Sequence, residues 1–297
     1  LVTPHDRELL AMDWEYPASA PGAETDDAAE RRAVTRPVLL LLHGLNNDSS
    51  FGYVRGAARA ATDAGIASCA LNYRGCGGVD MVTPRAFNAG FTGDLRHAVD
   101  AVTGRMRDSG RAGAPPVRLF LCGFSLGANL VVKYLGEEGR DGSLHPRVAG
   151  GVSVANPFRL SAHLSLSSGA LLGLGVKRSL FSNRSGGIGL AAARSPSFKK
   201  SMRKAMMSYT ITGLDDALAP HMIRVEDWYP FTPHNRGYRN GADYYAESSC
   251  IRLVSHVSVP MLVLAAADDF ISDRGFMAAM PALVRNPNVI VVRTSTW

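Results

Sequence analysis

Apolar residues along this chain gather into short continuous runs, separated by stretches with helical spacing. Such runs occupy "VLLLLHGL" (Val38–Leu45), "IASCALNYRG" (Ile66–Gly75), "VRLFLCG" (Val117–Gly123), "VAGGVSVANP" (Val148–Pro157), "VPMLVLAAA" (Val259–Ala267) and "NVIVVRT" (Asn288–Thr294). Their length and lack of alternation predict strands buried on both faces. "LLAMDWEYP" near the start adds shorter strand-like runs. Between them, a helix is expected around Gly52–Ala64, with Gly65 as its stop. "DLRHAVDAVTGRM" sets Leu95, Ala98, Val99, Val102 and Met106 on one helical face. Leu126–Leu135 reads as a helix ending before Gly136, and "GFMAAMPALV" as another. Strands alternating with helices imply crossover connections, hence the α/β class and a mostly parallel, doubly wound sheet.

The rhythm lapses between Phe158 and Leu253, a stretch rich in Gly, Ser and basic residues. We read residues 158–253 as a cap inserted over the sheet, within a single domain spanning 1–297. "ASAPGAETDDAAERRAVTRP" (Ala18–Pro37) reads as a polar loop.

Composition is that of an ordinary globular chain, at 46% hydrophobic and 20% charged. No run reaches the roughly 18 apolar residues that span a bilayer, so a soluble or peripheral chain is expected. The four cysteines (Cys69, Cys76, Cys122, Cys250) form no CxxC pair and read as free thiols. The net charge of +6 is uneven. Arg147, Arg159, Lys177, Arg178, Arg184, Arg194, Lys199, Lys200, Arg203 and Lys204 fall between Gly142 and Leu214 with no acidic residue among them. That stretch is either a solvated surface or a face for an anionic membrane. With "LSLSSGALLGLG" (Leu164–Gly175) inside it, it suggests a lid in peripheral contact with lipid. It has neither a reading motif nor interleaved aromatics, and no nucleic-acid partner is expected.

The candidate chemistry lies in "LFLCGFSLGANLVV" (Leu119–Val132), where Gly-x-Ser-x-Gly follows a strand and opens a helix. That context is the strand–turn–helix of a nucleophile elbow and nominates Ser125. Side chains at 123 and 127 would collide with backbone, which explains both glycines. The helix N-terminus and the Leu126 N–H would stabilise an oxyanion, and the loop after "LLHGL" offers the Leu45 N–H as second donor. An orienting acid is expected at the tip of a later strand. "VLAAADDF" offers Asp268 and Asp269 there, and Asp269 is preferred. The competing role for either is to cap the following helix.

Several longer motifs accompany the serine: "NYRGCGG…TPRAFNAGFTGDL", "GFSLGANLVVKYLGEEG", and "GYRNGADYYAESS" followed by "VPMLVLAAADD". Together they resemble one α/β-hydrolase subfamily over essentially the whole chain. It holds bacterial YheT-like hydrolases, abhydrolase domain-containing proteins 1 and 3, and yeast medium-chain fatty acid ethyl ester synthases. The resemblance implies the α/β-hydrolase fold and an esterase, lipase or acyltransferase acting on acyl esters, without metal or organic cofactor. It carries Ser125 over as nucleophile and Asp269 as triad acid. The chain departs from the family at Phe270, where proline is frequent, and at "LNNDSS" after Gly44, where a Gly-rich segment is usual.

None of the eight histidines fits the order Ser, acid, His, because all precede Asp269. His5 lies in an N-terminal turn, His43 on the oxyanion strand pointing away from the serine, His97 on a helix, and His145 in a loop. His163, His221 and His234 fall in the cap, and His256 precedes the strand leading to Asp269. His43 and Asp48 also make an H-x4-D pattern, read as coincidence. The resemblance places the base in a turn after the last strand, past Trp297. The opening at Leu1 instead of methionine fits a fragment lacking that base and the final helix. Residues 1–297 alone are then expected to be nearly inactive. Two other readings stay open: acyl transfer to an alcohol at the same site, and a silent binding protein on a hydrolase fold.

Overall fold

The computed structural model describes residues 1–4, 6–17, 34–45, 47–108, 110, 113–160, 195–224 and 237–296. Each apolar run forms a strand: β1 (Ala11–Glu15), β2 (Val38–Leu42), β3 (Ala67–Asn72), β4 (Leu119–Phe124), β5 (Val148–Val154), β6 (Met261–Ala266) and β7 (Val289–Thr294). They make a single sheet in the order β1-β3-β2-β4-β5-β6-β7. Every pairing from β3 to β7 is parallel, and β1 adds an antiparallel edge. The central strands β2, β3 and β4 are the most buried, as continuous apolar runs require. At the opposite edge, Ile290 and Val292 on β7 stand exposed.

The helices are α1 (Gly52–Asp63), α2 (Gly93–Arg105), α3 (Leu126–Asp141), α4 (Pro196–Met207), α5 (Ile211–Leu218), α6 (Gly241–Ser248) and α7 (Asp273–Leu283). From α1, Val54 and Ala58 pack on Leu41, Ala70 and Cys122. The larger core joins α2, α3 and α7 to residues such as Leu40, Leu42 and Leu121. The face predicted for α2 is buried as expected, including Met106 just beyond its end. All four cysteines are buried free thiols. No helix among the described residues is long and apolar enough to cross a membrane.

One boundary differs from expectation. The helix after Ser125 does not stop before Gly136 but continues to Asp141, where Gly142 closes it at φ +66°. A Cβ on Gly136 would lie 2.4 Å from the Leu253 carbonyl oxygen, and one on Gly139 1.9 Å from that of His256. These glycines let the 3-10 turn Cys250–His256 press against the helix. They are spacers for close backbone approach and leave the helix unbroken.

Between β5 and β6, the described residues hold α4, α5 and α6 with no strand, in keeping with the sequence. Leu164–Gly175, His163 and His234 lie outside the described residues, as does His5. The N-terminal segment is latched by buried charge. Arg74 pairs with Asp94 at 2.6 Å and with Asp6, while Glu8 accepts the Val82 and Thr83 N–H groups. Buried charges persist only when paired in this way.

Candidate active site

β4 ends at Phe124 and α3 begins at Leu126, leaving Ser125 alone to turn the chain. Its backbone sits at φ 52° and ψ −112°, a conformation that L residues other than glycine rarely adopt. The neighbours enforce it. A Cβ on Gly123 would meet the Gly127 carbonyl oxygen at 2.2 Å, and one on Gly127 the Leu42 carbonyl oxygen at 2.4 Å. The Ser125 N–H donates to Val154 at 2.9 Å, tying the turn to β5. The strained serine therefore crosses directly from a central strand into a helix, as an elbow requires.

Ser125 lines a cavity of about 690 Å³ at the C-terminal edge of the sheet. Leu45 and Leu126, the two residues nominated as oxyanion donors, both line it. The Leu126 N–H is at the first position of α3, where no intrahelical acceptor exists. On the other side, the Gly44 N–H is spent on the Tyr53 hydroxyl at 2.9 Å, which leaves Leu45 as the next donor along the loop. Tyr53 also accepts from the Asn47 side chain at 2.7 Å and packs on Phe124. It thereby holds the loop beside the elbow. A Cβ on Gly44 would lie 3.5 Å from that of Ser125, so the two backbones nearly touch.

Asp269 follows β6, two strands from β4. Its Oδ1 accepts the Ile271 and Ser272 N–H groups, both at 3.0 Å, and Oδ2 accepts the Ser272 hydroxyl. These bonds fix the carboxylate within the turn, but they do not cap the helix: α7 begins at Asp273, and its N-cap Ser272 carries no side-chain cap bond. Phe270, Ile271, Arg274 and Gly275 line the Ser125 cavity, but Asp269 itself does not. Asp268 is exposed.

None of the five described histidines lines this cavity. His43 is buried, with Nδ1 2.7 Å from the Gly44 oxygen and Nε2 accepting the Tyr73 N–H. Burial lowers its pKa to about 4, so it is neutral at pH 7. Asp48 turns instead onto the N–H and hydroxyl of Ser50, and the His43–Asp48 pattern makes no hydrogen-bonded pair. His97 bonds the Val2 carbonyl, His145 accepts the Arg147 N–H, and His221 packs on Phe198.

Tyr53, Asp215, Tyr244 and Tyr245 also line the cavity, and no sequence signal assigns any of them a place in the site. These come from α1, α5 and α6 and meet only in three dimensions.

The family model described as serine aminopeptidase, S33, matches residues 33–206. Monoacylglycerol lipase of Saccharomyces cerevisiae is 28% identical over 95% of this chain and 56% of its own length. Phospholipase ABHD3 of Mus musculus is 30% identical over 99% of this chain and 64% of its own. The chain thus spans between half and two-thirds of the curated relatives it matches. The solved structure of Est1E from Butyrivibrio proteoclasticus with ferulic acid bound aligns with a TM-score of 0.53 at 11% identity. It covers 99% of this chain and 88% of that one, a likeness of fold.

Proposed function

This chain belongs to the α/β-hydrolase family described as serine aminopeptidase, S33, and on that footing we propose that it is a serine hydrolase of carboxylic esters. The observation that carries the reading is the Ser125 elbow: a strained serine at a helix N-terminus, opening into a cavity of about 690 Å³. Its Oγ attacks the ester carbonyl and the Leu45 and Leu126 N–H groups receive the oxyanion. Asp269 orients the imidazole that takes the serine proton. Relatives bearing lipase and phospholipase names support an acyl ester of a lipid as substrate.

The base in this proposal is a histidine that enters from the loop after β7, past Trp297. The β4, β6, β7 succession supports it, since that loop would emerge at the same sheet edge as the elbow and Asp269. Removing such a histidine costs on the order of a million-fold in kcat. Ester turnover by residues 1–297 is therefore expected to be near background, and to appear when the chain continues through the next thirty or so residues. Equal turnover by both forms would sink the assignment. A fluorophosphonate probe should label Ser125 in the longer form and not its Ser125→Ala variant. Product analysis with added alcohol separates hydrolysis from ester synthesis, which share these residues.

Contact with a lipid surface belongs to the same reading. On α4, Phe198, Met202 and Ala205 face inward, while Lys199, Lys200, Arg203 and Lys204 are exposed beside Met206 and Met207. Basic and apolar groups side by side are what an interfacial helix presents. Sedimentation with anionic vesicles should fall as salt rises, because charge attraction is screened. No binding at low salt would remove this contact.

A further inference from the structure

Beside the loop that offers the Leu45 N–H, the wall of the Ser125 cavity carries a side-chain hydroxyl that the mechanism leaves unused, that of Tyr53. Tyr53 is the second residue of α1 and is firmly placed. Its neighbour Val54 is buried against the sheet, and its own ring packs on Phe124 with 4.8 Å between centroids. Phe124 immediately precedes the serine. The side chain that Gly44 lacks shows how close these groups are. A Cβ there would lie 3.4 Å from the Tyr53 oxygen and 3.5 Å from the Ser125 Cβ. The phenol thus borders the same small space as the nucleophile.

The hydrogen bonds of this phenol have a direction. Its oxygen accepts the Gly44 N–H at 2.9 Å and the Asn47 amide at 2.7 Å. A phenol oxygen engaged twice as acceptor has only its proton left to give. In the described residues Tyr53 makes no bond as donor. Two incoming bonds also polarise the O–H and make it a stronger donor. Tyr53 therefore takes up one N–H of the loop and returns an O–H in its place. That exchange matters because Leu45 is the single backbone donor assigned to the loop.

We propose that Tyr53 is a catalytic residue, a side-chain donor that completes the oxyanion hole. When Ser125 Oγ bonds to the ester carbon, the carbonyl π pair moves onto its oxygen. The phenol O–H then donates to that charge together with the Leu45 and Leu126 N–H groups. The proton stays on the phenol throughout. The bond strengthens as charge grows and relaxes when the pair returns to re-form the carbonyl. A donor of this kind acts on the transition state and leaves binding of the planar ester nearly unchanged. The inference rests on Ser125 being the nucleophile, because that reading puts the ester carbonyl beside Tyr53.

The test uses the full-length protein and one nitrophenyl ester, with kcat and KM read separately. Tyr53→Phe should lower kcat about a hundredfold or more while KM stays within about threefold, the signature of one lost oxyanion donor. Its Tm should hold, since the ring still packs on Phe124. Ring fluorination separates a donor from a residue that only pins the loop. A fluorotyrosine in place of Tyr53 has a more acidic phenol, which donates better and accepts worse. Assayed at a pH where it stays protonated, it should raise kcat about twofold. A loop pin would leave kcat level or lower it. Unchanged kcat in Tyr53→Phe, or no gain on fluorination, overturns the proposal. The fluorinated side chain keeps its shape, so this arm decides even where Tyr53→Phe folds poorly. Fluorophosphonate labelling tells the two readings apart. Label on Ser125 with a kcat indifferent to Tyr53 removes the phenol alone. A wild type that neither labels nor turns over removes the serine assignment and the phenol with it.

Discussion

The turn after β4 and the turn after β6 open at the same edge of one sheet, and each presents a residue assigned here to chemistry. At the first, Ser125 is held by backbone alone: two glycines admit neighbouring carbonyls too close for any Cβ, and its N–H is taken by β5. At the second, Asp269 is held through its own side chain, by two N–H groups and one hydroxyl from residues two and three ahead. The elbow is positioned by what its neighbours lack, the acid by what it can accept. One arrangement tolerates no added atom, and the other tolerates an isosteric exchange. The two turns should therefore fail differently.

The largest effect is expected at the elbow's own side chain. Ser125→Ala should reduce ester turnover on the order of a million-fold, about 8 kcal/mol of barrier, with little change in Tm. Substantial residual turnover would move the chemistry to another group. Asp269→Asn comes next. An amide oxygen can still accept the Ile271 and Ser272 N–H groups, so the fold should survive, while the imidazole loses its orienting charge. A drop in kcat of about four orders of magnitude is expected, with Tm shifted by only a degree or two. If Tm and turnover fell together, holding the turn would be the main role of Asp269.

The glycine substitutions invert this signature. Gly123→Ala and Gly127→Ala each place a Cβ within 2.2–2.4 Å of a backbone carbonyl, where no rotamer change can relieve it. Destabilisation of several kcal/mol is expected, in the range kept for strain at special backbone positions. Urea titration would show it as a lower midpoint with activity lost in proportion to the folded fraction. A folded, active Gly123→Ala protein would mean that the elbow is looser than its contacts imply.

The same contrast separates what is legible in the sequence from what is not. The strand runs and the elbow were legible because their signals are local: an apolar run, then Gly-x-Ser-x-Gly, then helical spacing. Gly136 was misread because a helix stop and a close-approach spacer carry the same letter. Only the position of Leu253 distinguishes them. The cavity wall was invisible for a different reason. Leu45, Leu126, Asp215 and Tyr244 come from four separate elements and carry no mutual spacing. Chain order excludes all the histidines, and four of the five described ones, His43, His97, His145 and His221, are occupied elsewhere.

The smallest effect concerns a second carboxyl, on the wall of the Ser125 cavity, held neither by backbone constraint nor by a loop. Asp215 is raised from 3.8 to about 7, chiefly by burial. A carboxyl whose folded value lies above its unfolded one stabilises fully below about pH 4. That contribution is lost as pH rises through 7. A rise of that size would amount to roughly 4 kcal/mol, and solvent reaching the group from the cavity cuts this to about 1–2 kcal/mol. Asparagine carries no such penalty and still accepts from Tyr245. Asp215→Asn should thus match the wild type in Tm near pH 4 and exceed it by a few degrees at pH 8. A difference that stays flat across this range would show that solvent, and not the protein interior, sets the carboxyl's environment. In that event Asp215 would resemble an ordinary surface acid, and only the backbone-built turn would remain strictly intolerant of change.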